Sequence, residues 1–312
     1  MSGNQKPDTT KKILITGATG FIGKHAANTF AKSGYNVHAL TRRELSNEKK
    51  SQYHSSITFH KIMIDVDSIK TVLTQTNPDL VIHLGCHYLA EHQSADILEL
   101  ISGNLSFGTL LLEAMSLCQI KKFINIGTDW QHFDNKEYSP YSLYASLKQA
   151  FQDVLIYYAE VKNLSAITIE LGDTYASDDE RPKLLNLLRR TARTKEPLEL
   201  SGGEQWIDLV HVDDVVAGLE IAVYLLWSGT ENYSVFRLTS REQMTIRDLV
   251  NQYQLSTGES LDVLWGKKPY RSRERWVPSN YGKILPGWSQ KIPLTLGIKH
   301  FHDYTPKTKK RS

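Results

Sequence analysis

The sequence predicts an α/β fold in which a doubly wound parallel sheet carries a smaller carboxyl-terminal lobe. Three observations support this class: a glycine-rich turn within residues 13–23, alternating strand and helix patterns up to about residue 175, and the loss of that alternation from Asp178. Regular strand–helix alternation favours a parallel sheet with right-handed crossovers. The chain has 312 residues, which is long enough to bury a substantial core.

The glycine-rich turn is the most informative stretch. Residues 13–23 read ILITGATGFIG, and an apolar run without alternation is typical of a strand buried on both faces. Gly17 permits a tight turn, Gly20 lets the backbone approach a pyrophosphate, and Gly23 lets the next helix pack on the strand. The free N–H groups at that helix start form an anion site. Because the commoner spacing is Gly-x-Gly-x-x-Gly, the prediction depends on the flanking strand and helix.

Two arginines follow the second predicted strand, residues 36–40. NAD-binding folds usually place an acid there, which accepts from the ribose 2′-hydroxyl, whereas arginine accommodates a 2′-phosphate. The chain has Arg42 and Arg43 and no acid at this point. A guanidinium binds phosphate through charge-assisted hydrogen bonds, so the pair favours NADP(H). The alternative is that both arginines are solvated surface residues.

The first half of the chain, residues 1–175, is predicted to be the dinucleotide-binding domain. Residues 176–312 are predicted to form mainly a substrate-binding lobe, with residues 205–240 returning to the core. The remaining predicted strands are 57–64, 80–84, 122–127 and 165–171, and the predicted helices are 68–75, 95–117, 141–161, 184–194 and one that ends near residue 226.

Tyr144 and Lys148 form the candidate catalytic pair. They are four residues apart in a predicted helix, so they share one face. Such a pair means little alone, but after a nucleotide-binding turn and a strand that ends near Thr128 it indicates chemistry. A free phenol has a pKa of about 10, so a neighbouring cation is expected to bring the pKa of the Tyr144 hydroxyl closer to neutral pH.

These motifs together resemble the extended short-chain dehydrogenases/reductases, a group of nucleotide-sugar epimerases, dehydratases and ketoreductases. The resemblance runs from Lys12 to about Ile298 and includes His83-Leu84 and His211-Val212-Asp213-Asp214. Within the group, residues 128–132, 144–151 and 285–288 look most like reductases of the CDP-abequose synthase type. Those enzymes use NADPH to reduce a 4-keto group on a CDP-linked 3,6-dideoxyhexose.

The resemblance implies roles for individual residues. Tyr144 would donate the proton, Lys148 would supply charge and bond the nicotinamide ribose, and Thr128 would bond the substrate oxygen. The implied cofactor contacts are Gly17, Thr19, Gly20, Phe21, Ile22, Arg42, Arg43, Asp65, Val66, Leu84, Gly85, Cys86, Asn104, Tyr144, Lys148, Gly172 and Thr174. The implied substrate contacts are His87, Asp129, Trp130, Arg181, Lys183 and Arg271, with Arg273 as a further phosphate candidate; each of the cations could equally be surface charge.

Two departures from related enzymes carry information. Sugar 4,6-dehydratases that this chain resembles have Thr-Asp-Glu after the fifth strand, whereas this chain has Trp130 in the third position. Losing that glutamate disfavours dehydration, although Asp129 remains. Many relatives also carry a diphosphate-binding arginine where this chain has Ile207, so phosphate binding must come from other residues.

Composition excludes several other classes. The net charge is only +3, partly from the tail 307–311, which predicts no nucleic-acid partner. With two cysteines, no signal-peptide pattern near Pro7 and no apolar run approaching the ~20 residues of a membrane span, we expect a cytoplasmic protein. The histidines show no paired metal-ligand spacing, so no metal is expected.

Three functions remain open. The first is an NADPH-dependent 4-ketoreductase of a nucleotide-linked deoxyhexose, and the second is a 4-epimerase that retains NAD. The third is a cofactor-sensing scaffold, although such proteins commonly lose the tyrosine or lysine that this chain keeps. The predicted helices 95–117 and 141–161 are apolar on more than one face, and in relatives they pair across a twofold axis, so a homodimer is expected.

Overall fold

The computed structural model describes residues 10–229 and 232–305, so the tail 307–311 and the residues around Pro7 lie outside it. A seven-stranded parallel sheet forms the centre of the described chain. The described chain also contains three two-stranded sheets. The strands of all four sheets, in chain order, are β1 (Lys12–Thr16), β2 (Asn36–Thr41), β3 (Thr58–Lys61), β4 (Leu80–His83), β5 (Lys122–Thr128), β6 (Ser165–Leu171), β7 (Asp173–Tyr175), β8 (Leu198–Glu199), β9 (Trp206–Ile207), β10 (Leu209–His211), β11 (Tyr233–Leu238), β12 (Met244–Thr245) and β13 (Val263–Leu264). The order across the large sheet is β11-β6-β5-β4-β1-β2-β3.

Helices cover both faces of the sheet. They are α1 (Phe21–Lys32), α2 (Asn47–Lys50), α3 (Val66–Thr76), α4 (Ile97–Ile101), α5 (Phe107–Leu117), α6 (Leu143–Lys162), α7 (Leu184–Thr194), α8 (Val212–Ser228), α9 (Ile246–Thr257) and α10 (Leu294–Asp303). Helices α1 and α8 pack against one apolar cluster, and α3, α5 and α6 pack against a second cluster on the opposite face. This is the doubly wound architecture that the strand–helix alternation predicts.

The strand order reverses at β1, which pairs with β2 on one side and β4 on the other. The turn after β1 therefore meets the loop after β4. A Cβ at Gly17, whose φ is +67°, would lie 2.5 Å from the amide nitrogen of Gly85, so only glycine fits. Ligands of open α/β sheets bind in the crevice at such a reversal, beyond the carboxyl ends of the strands.

The sheet differs from the predicted one in two places. The predicted strand 57–64 is wrong at its end, because β3 stops at Lys61, where its single partner β2 also ends at Thr41. The seventh strand, β11, pairs with β6 over its full length. Its sequence lies in the segment 205–240, which also supplies α8 to the helix layer.

The predicted helix 95–117 is interrupted. A wide π-type turn over Ser102–Ser106 separates α4 from α5 and buries Asn104. Such turns are rare and frequently occur at functional sites. The whole stretch Ser94–Leu117 is long and apolar enough to cross a membrane by length and composition. Its second half, α5, packs between α3 and α6 in the core, so this is weak evidence for a span.

The carboxyl-terminal lobe has an apolar cluster of its own. Helices α7, α9 and α10 pack together around Tyr175, Leu188, Tyr253 and Phe301. The lobe lies beyond the carboxyl ends of β5 and β6, because β7 follows β6 directly and pairs with β10. The lobe thus forms one wall of the crevice described above.

The glycine turn supplies the first testable prediction. A Cβ at Gly23 would lie 2.0 Å from the carbonyl oxygen of Gly17, whereas a Cβ at Gly20 would meet the same oxygen at 3.2 Å. We expect Gly23→Ala to lower the free energy of unfolding by about 1–3 kcal/mol and Gly20→Ala by under about 1 kcal/mol. Urea unfolding measures both, and equal losses in the two variants would contradict the packing role of Gly23.

Candidate active site

Tyr144 and Lys148 lie on the first two turns of α6. Ser142 caps this helix by accepting a hydrogen bond from the Ala145 amide at 3.4 Å. The exposed fractions of Tyr144 and Lys148 are 8% and 2%. Burial lowers the pKa of the Lys148 ammonium, because a low-dielectric surrounding disfavours the charged form.

The expectation for the Tyr144 hydroxyl needs a correction. Burial raises its pKa well above the ordinary value, and the Cys86 thiol and Tyr88 raise it further. Lys148 is not among the causes of this shift, so the expected lowering by its charge is not found. The phenol is therefore held in its neutral form, which can donate a proton.

The loop after β4 reaches this pair through a clamp made by Asn104. The Asn104 amide donates to the carbonyls of His87 and Leu100 at 2.7 and 3.0 Å, and its oxygen accepts the His87 N–H at 3.1 Å. Both amide hydrogens are thus used inside the protein. Asn104 positions the loop that carries Leu84, Gly85 and Cys86 at the carboxyl end of β4, so a direct bond from this side chain to the cofactor stays a prediction.

The glycine turn fits a dinucleotide phosphate. Gly20 is the N-cap of α1 and provides no side-chain cap, and the first turn of α1 has no acidic residue. The first N–H groups of α1, at Phe21 and Ile22, are therefore not capped by a side chain and lie at the positive end of the helix dipole. Thr19 and Gly20 are exposed at this turn, as a phosphate-binding backbone requires.

The residues predicted around the adenosine lie at the ends of β2 and β3. Arg42 and Arg43 are exposed directly after β2. Asp65 caps α3, accepting the Ser68 N–H at 2.7 Å, and Val66 begins that helix. Because both arginine side chains are exposed, they are available to a phosphate at the carboxyl end of β2.

Thr128 ends β5 and begins a short 3₁₀ turn, Asp129–Gln131. Its hydroxyl accepts the Trp130 N–H at 3.3 Å and donates to the Leu171 carbonyl at 3.4 Å. The second bond is long and therefore weak. A substrate oxygen would have to replace the Leu171 carbonyl as the acceptor.

A cleft of about 850 Å³ lies between the sheet edge and the lobe. Its walls include Tyr88, Trp130, Thr174, Lys268 and Arg271. The glycine turn meets this cleft at Arg181, whose guanidinium lies 4.0 Å from the centre of the Phe21 ring. The cleft thus lies next to the predicted cofactor side of the crevice.

The predicted phosphate-binding cations differ in their partners. Arg181 binds the Asp179 carboxylate and the Thr174 carbonyl, and Lys183 binds the Asp173 carboxylate at 2.6 Å. Arg273 donates to the Pro140 carbonyl at 2.6 Å. Within the part of the chain that the structure describes, Arg271 has no ion pair, and its guanidinium lies 5.7 Å from the Trp130 ring centre. Among these four cations, Arg271 is therefore the most available to an anionic ligand.

Arg275 was not predicted from the sequence. It is 7% exposed and forms a buried ion pair with Asp129, which lies beside Thr128. Burial raises the pKa of Asp129 to about 6, although Arg275 acts in the opposite direction. Asp208 also raises that pKa, and a Cβ at Gly172 would meet the Asp129 carboxylate and the backbone carbonyl of Asp208. The sequence shows arginines at alternating positions 271, 273 and 275, which indicates a cationic segment. No local pattern shows which of the three is buried.

His132 follows the same 3₁₀ turn and has acceptors at both ring nitrogens. Its Nδ1 donates to the Glu137 carbonyl at 2.7 Å and its Nε2 to the Glu170 carboxylate at 3.0 Å. Burial acts to lower the pKa of His132, but the bonds to Glu170 and to the two carbonyls outweigh it and raise the pKa. His132 fixes the loop behind Trp130.

Among residues 10–229 and 232–305, no three histidine, cysteine or acidic side chains are grouped to hold a metal.

A family model for the "NAD dependent epimerase/dehydratase family" matches residues 13–232, a range that begins within β1 and ends just before β11. The chain belongs to this family. The matched range contains the glycine turn, Thr128 and the Tyr144/Lys148 pair, so the resemblance read from those motifs is confirmed.

Named relatives and solved structures agree with the family. The chain is 27% identical to CDP-abequose synthase of Yersinia pseudotuberculosis over 276 residues. This alignment covers 86% of this chain and 91% of that protein. UDP-glucose 4-epimerase of Thermotoga maritima, solved with UDP-glucose, has a TM-score of 0.80 at 22% identity, covering 94% of this chain and 98% of the other. UDP-glucose 4-epimerase of Thermus thermophilus, solved with NAD, has a TM-score of 0.77 at 20% identity, covering 94% and 100%.

The buried ion pair of this family member gives a second prediction. Arg275→Met would leave the Asp129 carboxylate buried without its cation, so we expect the free energy of unfolding to fall by about 3–5 kcal/mol. Adding Asp129→Asn should recover part of that loss. The control is Arg273→Met, which removes an exposed guanidinium and should cost under about 1 kcal/mol. Chemical denaturation measures all three, and similar losses for Arg275→Met and Arg273→Met would refute the ion-pair account.

Proposed function

We propose that this protein is an NADPH-dependent 4-ketoreductase that acts on a nucleotide-linked deoxyhexose. The observation that carries the proposal is the Tyr144/Lys148 pair beside the cleft, with the phenol held neutral by burial. Reduction of a ketone needs a proton donor at the developing alkoxide, and a neutral phenol is such a donor. A buried ammonium next to it stabilises negative charge as that charge develops.

Three residues have distinct roles in the proposed reaction. Tyr144 transfers its proton to the substrate oxygen, and Lys148 stabilises the phenolate that is left. Thr128 orients the same oxygen once its hydroxyl turns away from the Leu171 carbonyl. The low exposure of Tyr144 and Lys148 excludes water from the reacting atoms, which strengthens both interactions.

NADPH fits the anion site at the start of α1, and when bound it supplies the hydride. Gly17, Gly20 and the uncapped N–H groups at Phe21 and Ile22 would hold its pyrophosphate. Arg42 and Arg43 would bind the 2′-phosphate, because no acid stands at the end of β2 to favour a 2′-hydroxyl. Solved structural neighbours contain NAD, so the choice of NADP(H) rests on these two arginines.

Elimination of water is disfavoured at this site. Dehydration at the sugar needs an acid and a base besides the hydride chemistry, and Trp130 stands where the resembling dehydratases have a glutamate. The neighbouring Asp129 is held in the ion pair with Arg275. With no second carboxylate at position 130 to act as the base, reduction is the outcome that these side chains favour.

The relative from Yersinia pseudotuberculosis is named CDP-abequose synthase, and we infer a CDP-linked substrate from it. Arg271 would bind the diphosphate, and Lys268 lines the same cleft.

We also propose a cytoplasmic homodimer in deoxysugar or lipopolysaccharide synthesis. Exposed apolar side chains on α4, α5 and α6 support the dimer: Leu98, Leu117, Tyr157 and Val161.

A 4-epimerase is the second candidate. Its supporting observation is the likeness to two UDP-glucose 4-epimerases with TM-scores of 0.80 and 0.77. An epimerase oxidises and then reduces the same carbon, so its cofactor need not leave. Purified protein that carries NAD and shows no net oxidation of NADPH would favour this reading over the reductase.

Replacement of the phenol tests the proposal. We expect Tyr144→Phe to lower the rate of NADPH oxidation by at least about 10²-fold, with a CDP-linked 4-keto-6-deoxyhexose as substrate. The matched control is Tyr157→Phe, an exposed tyrosine on the same helix, which should keep the wild-type rate. Substrates with other bases complete the panel. A Tyr144→Phe variant with undiminished turnover would refute the assigned role.

A further inference from the structure

The segment between β7 and α7, residues 176–183, contains no helix or strand and reaches the first turns of α1. Within it, the Asp178 carboxylate lies 3.0 Å from the Lys24 ammonium and 2.9 Å from Nε2 of His25. Both partners lie in α1, which begins at the predicted anion site. We call residues 176–183 the strap.

A second contact of the strap lies closer to the anion site. The Arg181 guanidinium lies 4.0 Å from the centre of the Phe21 ring, and Phe21 supplies the first N–H group of α1. Hydrogen bonds to the Asp179 carboxylate and the Thr174 carbonyl fix that guanidinium. The strap therefore passes directly beside the turn that would hold a pyrophosphate.

On its other side the strap is joined firmly to α7. The Asn186 amide donates to the carbonyls of Asp179 and Arg181, in both cases at 2.8 Å. The Arg189 guanidinium, which is buried, donates to the Ser177 carbonyl at 3.0 Å. Breaking such bonds would leave buried donors without acceptors, which is costly. The strap thus belongs to the lobe.

The contacts of the strap with α1 are more open to water. The side chains of Lys24, His25 and Asp178 keep 33%, 23% and 23% of their surface exposed. Ion pairs with solvent access stabilise little, because water hydrates the two charges when they separate. A motion of the strap therefore breaks its contacts with α1 before those with α7.

The strap follows the path of a dinucleotide that has its pyrophosphate at α1 and its nicotinamide at Tyr144, a path that rests on the proposed function. Arg181 lies at Phe21, the phosphate end of this path. At the other end, the Lys183 ammonium lies 5.1 Å from the centre of the Tyr88 ring, and that centre lies 5.1 Å from the centre of the Tyr144 ring. The strap thus extends from the pyrophosphate turn to the proposed proton donor.

We propose that the strap gates the exchange of the dinucleotide and that Asp178 holds it closed against α1. The Asp178 contacts join protein groups only, so breaking them removes no bond to the dinucleotide. Weakening such a gate speeds entry and exit by the same factor and leaves the affinity nearly unchanged. A reductase must exchange its cofactor after every turnover, and a gate closed by partly exposed ion pairs permits that exchange.

Stopped-flow fluorescence tests the gate. Energy transfer from tryptophan to NADPH gives the association rate, and a chase with excess NADP⁺ gives the dissociation rate. We expect Asp178→Asn, which keeps one acceptor oxygen, to raise both rates at least about threefold, and Asp178→Ala to raise them about tenfold. The dissociation constant should stay within about twofold of wild type in both variants.

The matched control is Glu259→Gln. Glu259 likewise binds a lysine, Lys195 at 2.6 Å, and lies 3.7 Å from a histidine, His302. None of these three residues is in the strap or lines the cleft, so Glu259→Gln should leave both rates unchanged. Thermal unfolding of each variant checks that the fold is kept.

The outcomes separate the gate from the proposed function. A dissociation rate that rises alone would mean that Asp178 acts on binding, and unchanged rates would mean that the strap only supports the lobe; either result overturns the gate. The rates are also measured with NADH, so that the gate is tested with whichever dinucleotide binds. Faster exchange in the Asp178 variants, without oxidation of NADPH by the wild type and a CDP-linked 4-keto-6-deoxyhexose, would reject the reductase and leave the gate in place.

Discussion

The contact between the turn after β1 and the loop after β4 is the constraint on which the site depends. Gly17 approaches Gly85 so closely that a side chain at Gly17 would overlap the β4 loop. This contact places the uncapped start of α1 beside the loop that carries Cys86, which lies against Tyr144. The predicted anion site and the proposed proton donor are therefore fixed relative to each other by close backbone packing.

Several charged side chains of the candidate site are buried. Lys148 and the Asp129–Arg275 pair are all nearly inaccessible to water, and unpaired buried charges cost several kcal/mol each. The fold tolerates Lys148 because its pKa falls and tolerates Asp129 because Arg275 lies against it. Such energetically costly groups cluster at functional sites, and here they lie at the carboxyl ends of β5 and in α6, where the chemistry is proposed.

Most of the sheet and the candidate catalytic pair could be predicted from the sequence, because both depend on local patterns. An apolar run, glycine spacing and an i, i+4 pair are readable within a few residues. Arg275 was missed because its partner Asp129 is 146 residues away, and no spacing rule connects them. Tyr88 was missed because an aromatic residue after a strand has no distinctive pattern. The early end of β3 and the π-type turn at Asn104 were missed because tertiary contacts override local preference.

The most direct test of the central claim follows the hydride. NADPH deuterated at the transferable position of its nicotinamide is incubated with the protein and a CDP-linked 4-keto-6-deoxyhexose, and the product is read by NMR. We expect one deuterium at C4 of the sugar for each NADPH oxidised, and no such product from Tyr144→Phe. Unchanged NADPH and unchanged 4-keto sugar, together with interconversion at C4 of a CDP-linked 4-hydroxy sugar offered in parallel, would contradict the reductase and leave the retained-cofactor epimerase.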